Sequence, residues 1–108
     1  MEITSYQESI KPFANHHKEL GPYTLILIFG KHFGDFTEKL YKILENNEGN
    51  ISEEDKFKLG ISMGDMINDI TNMATDIGIS MEDVLNINLR KIEMAFEELK
   101  NDRSKFST

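Results

Sequence analysis

The chain has 108 residues, twelve Lys and Arg against nineteen Asp and Glu, a formal net charge of −7, and no cysteine. This length makes one domain, residues 1–108, with a single modest core. Lack of cysteine excludes disulfides, thiolate nucleophiles and cysteine zinc sites. The acidic field, with its basic residues scattered, excludes a phosphate-tracking groove for nucleic acid.

The opening Met-Glu-Ile-Thr-Ser-Tyr has no basic region followed by an apolar run, so no signal peptide is expected and the expected location is cytoplasmic. A first helix over residues 3–20 follows from Tyr6, Ile10, Phe13 and His17 at spacings of three and four, with Pro12 bending or splitting it. His16-His17 is expected as a surface pair near the end of that helix. Gly21-Pro22 stops one helix and starts the next, Pro22 being suited to a first turn.

The second helix, over residues 23–45, carries Leu25, Phe29, Phe33, Phe36, Leu40, Ile43 and Leu44 along one side, a core-facing stripe. Its longest apolar run, residues 25–29, is too short to span a membrane. Residues 46–50, Asn-Asn-Glu-Gly-Asn, break it. Ser52 caps a third helix that has acids in its first turn, an apolar stripe of Phe57, Met63, Met66, Ile67, Ile70, Met73, Ala74 and Ile77, and Gly78 as its stop. Ser80 caps a fourth, with Leu85, Leu89, Ile92, Phe96 and Leu99 on one face, and the polar tail after about residue 101 is expected to fray. The six methionines stand mostly at core spacing.

No strand alternation and no repeat is visible, so the fold class is all-α, a four-helix bundle. Helices two and three are expected as antiparallel neighbours because their link is short. A core this small leaves apolar faces to cover, which predicts a homo-oligomer, a dimer or tetramer.

Residues 62–92 read Ser-Met-Gly-Asp-Met-Ile-Asn-Asp-Ile-Thr-Asn-Met-Ala-Thr-Asp-Ile-Gly-Ile-Ser-Met-Glu-Asp-Val-Leu-Asn-Ile-Asn-Leu-Arg-Lys-Ile. This resembles, without gaps, the second half of the MazG-like all-α nucleoside triphosphate pyrophosphohydrolases: Glu-Leu-Gly-Asp, an apolar helix, Leu-Gly-Ile-(Ser/Asp)-Leu-Glu-Glu-Val, then Asn-x-x-Lys. Lys31-His32-Phe33-Gly34-Asp35 resembles the family's first acidic block more weakly, and Tyr6-Gln7 resembles its opening helix.

The resemblance implies hydrolysis of a nucleoside triphosphate to monophosphate and pyrophosphate with Mg²⁺, held by two helical carboxylate pairs. Residues three apart project from the same side of a helix, so two facing helices aim four oxygens at one point. The four positions fall on His32, Asp35, Ser62 and Asp65, of which two are acidic. Asp35 and Asp65 are thus the expected catalytic and metal-anchoring residues, with Glu38, Asp69 and His32 as further ligands; an imidazole makes Mn²⁺ an alternative ion. Asn88, Lys91 and Lys31 are the expected nucleotide and phosphate contacts. Losing two carboxylates weakens Mg²⁺ binding, so a non-catalytic relative serving as a nucleotide- or protein-binding module or inhibitor is the alternative function.

Lys58, Ser62, Asp65, Asp69, Asn72 and Asp76 form a polar stripe on the third helix. Outside the motif, a solvated helix face accounts for it.

Overall fold

The computed structural model describes residues 1–14 and 21–106, without the side chains of Pro22 and residues 104–106. The expected surface pair His16-His17 and the second half of the expected first helix lie outside the described residues.

The order is α1 (Ile3–Ile10), one 3₁₀ turn (Lys11–Phe13), α2 (Pro22–Asn46), α3 (Glu53–Ile77) and α4 (Met81–Phe106). No strand occurs among the described residues. None of their helices is long and apolar enough to cross a membrane.

Each boundary has a local cause. Pro12 has no N–H to continue the α-helical ladder, so α1 ends at Ile10 and the chain tightens into the 3₁₀ turn. Pro22 occupies the first turn of α2, where its missing N–H costs nothing. The Ser52 hydroxyl accepts from the Asp55 amide at 3.1 Å, and Ser80 accepts from Asp83 at 3.1 Å. Gly78 closes α3 at φ 82°, where a side chain would be strained, and the Ile79 amide reaches back to the Ala74 carbonyl at 2.9 Å. Beyond residue 101 neither glycine nor proline interrupts the chain, and α4 extends to Phe106.

α2 and α3 form an antiparallel hairpin, with His32 opposite Asp69 and Lys39 opposite Ser62. α1 lies across α3 and the start of α4, fixed by Gln7. The Gln7 amide nitrogen donates to Thr75 Oγ1 at 3.1 Å and the Ile79 carbonyl at 3.2 Å, while its oxygen accepts from the Met81 amide at 2.8 Å. That buried side chain satisfies one of the open N–H groups at the start of α4.

The packing departs from the expected stripes. Among the described residues, Leu25, Leu59, Ala74 and Met81 are the buried apolar ones, and Gln7, Ser62, Asp69, Thr71 and Asn72 are buried as well. Half of the polar stripe on α3 is therefore interior rather than solvated. Phe33, Phe57 and Ile77, expected in the core, are exposed, as is the whole apolar face of α4. Within one chain, α4 makes its packing contacts against α1.

Candidate functional site

The functional face suggested by the motif is the α2–α3 seam. Seven residues separate His32 from Lys39 on α2, and seven separate Ser62 from Asp69 on α3, so the cross-links His32–Asp69 and Lys39–Ser62 are two rungs two helical turns apart. Asp35 and Asp65 fall between these rungs, both exposed.

At the first rung His32 Nδ1 lies 2.6 Å from Asp69 Oδ2. A carboxylate only accepts, so the imidazole donates from Nδ1. Asp69 is 2% exposed, whereas the His32 side chain retains 29% of its exposure. Tyr6 approaches the same end from α1. Its phenol is held above the ordinary value of 10.0, first by burial and then by the charges of Asp65 and Asp69. This end of the seam thus holds the His32–Asp69 pair, with the Tyr6 phenol within electrostatic reach of Asp65 and Asp69.

At the second rung the Lys39 ammonium donates to the Ser62 hydroxyl at 2.9 Å, and Ser62 is buried. Ser62 stands where the resemblance places a metal-binding glutamate. The motif position therefore holds a neutral hydroxyl with a fixed cation on it.

The remaining expected ligands are not drawn in. Glu38 pairs with Lys42 on its own helix at 2.8 Å, and that hydrogen bond, followed by the lysine's charge, holds its carboxyl below the ordinary value. Lys31 is exposed on α2. Asn88 and Lys91 lie on the exposed length of α4, which does not pack along α2. Asp69 comes to His32 as a hydrogen-bond partner instead of joining it as a second ligand.

Among the described residues, no three His, Asp or Glu side chains come together closely enough to hold a metal ion. The arrangement does not fit the Mg²⁺ or Mn²⁺ that the resemblance implies. His32 is engaged with Asp69, Glu38 with Lys42, and the Lys39 ammonium stands on Ser62, where a carboxylate would be needed.

Sequence reasoning gave Lys39 no role, and it noted Tyr6-Gln7 only as resembling the family's opening helix, without placing them beside α3. For Lys39 the signal was available, since a residue seven after His32 lies on the same side of the helix and meets α3 two turns along. For Tyr6 and Gln7 no spacing signal exists, because their partners lie some sixty to seventy residues away in sequence. Comparison of this chain with protein-family models, with curated proteins and with solved structures returns no match.

Proposed function

We propose that this chain is a MazG-like helical domain acting as a non-catalytic nucleotide- or protein-binding module. The observation that carries this reading is the Lys39–Ser62 hydrogen bond. An ammonium fixed at a position where a metal-dependent hydrolase needs a carboxylate opposes a divalent cation twice, by removing a negative charge and by adding a positive one. The engagement of His32 with Asp69 supports the same reading. Both departures from the carboxylate pattern are used as ties between helices.

Release of pyrophosphate from a panel of nucleoside triphosphates with Mg²⁺ or Mn²⁺ tests it. The module predicts none above background. Turnover with either ion that disappears in Asp65→Ala would overturn it.

A metal-dependent nucleoside triphosphate pyrophosphohydrolase is the second reading, and two observations favour it. A ligating histidine commonly donates its other ring nitrogen to a carboxylate, as His32 does to Asp69. Asp35 and Asp65 are both open to solvent between the rungs. On that reading Mn²⁺ supports activity better than Mg²⁺, because an imidazole suits the softer ion.

A further inference from the structure

A single copy of this chain is under-buried. Its radius of gyration is 18.4 Å, whereas a compact chain of this length measures about 13 Å. Its accessible surface is 8610 Å², whereas a folded monomer of this mass exposes roughly 6,200 Å². The difference, roughly 2,400 Å² per chain, exceeds the ~800 Å² that each partner buries in an ordinary stable interface and falls in the range of obligate dimers.

Much of the excess lies on α4. Leu85, Leu89, Ile92, Phe96 and Leu99 are each between 48% and 65% exposed. Their spacings run four, three, four, three. That is the heptad seam of a two-stranded coiled coil, in which each apolar side chain enters a gap between residues of the facing helix. Among the described residues of one chain nothing covers this seam: α4 packs against α1, and every residue over positions 85–103 is exposed.

We infer that α4 pairs with α4 of a second copy, the five-residue seam forming the centre of a two-fold interface. A seam on one helix is self-complementary about a two-fold axis, so one sequence serves both sides. Charge does not stand against this face. α4 carries six acids against five bases, hence one of the chain's seven net negative charges, and the other six lie on the rest of the chain. Two copies of this acidic protein repel less along α4 than along α3, which carries six acids against two bases. The inference does not depend on whether the α2–α3 seam binds nucleotide.

Sedimentation equilibrium on the full chain tests this from low to several hundred micromolar. The wild type is expected at twice the 12.5 kDa chain mass, and a Leu89→Glu, Phe96→Glu double variant at the single-chain mass with its helical circular dichroism retained. A wild type that stays at the single-chain mass, or a double variant that dimerises as well as wild type, overturns the inference. Because the chain has no cysteine, a cross-linking measurement stands even if the charged variant fails to fold. Ile92 is equidistant from Leu85 and Leu99, so Ile92→Cys lies close to its own copy in either helix orientation. Asn101→Cys projects from the opposite side of α4. Mild oxidation should link the Ile92→Cys chains much faster than the Asn101→Cys chains, and equal rates, or no cross-link in either, would contradict the pairing.

Discussion

His32 and Asp69 meet across α2 and α3 at 2.6 Å, and the carboxylate is the more deeply buried of the two. Removing the imidazole leaves a buried carboxylate without this donor. His32→Ala should therefore lower stability by about 2–3 kcal/mol. Asp69→Asn keeps an acceptor in place and should cost less than His32→Ala. Urea unfolding followed by circular dichroism measures both. A neutral His32→Ala would mean that the bond does not tie the hairpin together.

Lys39 and Ser62 decide whether the seam repels a divalent cation. Ser62→Glu alone should gain little Mg²⁺ affinity, because the new carboxylate is neutralised by the Lys39 ammonium. Adding Lys39→Met frees it and should give calorimetrically measurable binding that is absent in wild type. Equal behaviour of the single and double variants would remove Lys39 from the account.

The Tyr6 phenol is raised by burial first and by Asp65 and Asp69 second. In the unfolded chain it releases its proton near pH 10, before the folded chain does. Its contribution to stability is therefore constant below that pH and is lost as pH rises through the interval up to the folded value. Tyr6→Phe should flatten this alkaline loss. Absorbance titration in a Tyr23→Phe, Tyr41→Phe background should show the phenol titrating above its ordinary value. Asp65→Asn should bring the titration part of the way back, since burial remains. No movement in Asp65→Asn would separate Tyr6 from the acidic end of the seam.

Gln7 makes three hydrogen bonds that join α1 to the end of α3 and the start of α4. Gln7→Ala leaves the Met81 amide without that acceptor and should cost about 2–3 kcal/mol. The largest amide shifts in two-dimensional NMR should fall on residues 75–82. Shifts concentrated instead in α2 would contradict this role.

Much of the helical framework was legible in the sequence. Pro12, Pro22, Ser52, Gly78 and Ser80 each act through their own backbone chemistry, which is local and therefore readable. The short link of residues 46–50 likewise implied the antiparallel hairpin. The side of each helix that faces inward was less legible. Periodicity marks an apolar stripe without saying whether it meets the same chain or another, so Phe57, Ile77 and the α4 seam were expected in a core that one copy does not provide. The polar stripe on α3 misled for the converse reason: Asp69 and Ser62 are buried because His32 and Lys39, distant in sequence, supply their partners. At the candidate site, the choice of Asp35 and Asp65 came from the family resemblance. The engagement of their neighbours followed only from the three-dimensional pairing.

The most direct test of the proposed function is pyrophosphate release by wild type and Asp65→Ala, compared over a nucleoside triphosphate panel with Mg²⁺ and with Mn²⁺. With Lys39 on Ser62 and His32 on Asp69, the two proteins should be indistinguishable and at background with either ion. Metal-dependent turnover in wild type that Asp65→Ala abolishes would contradict the non-catalytic reading and establish the hydrolase in its place.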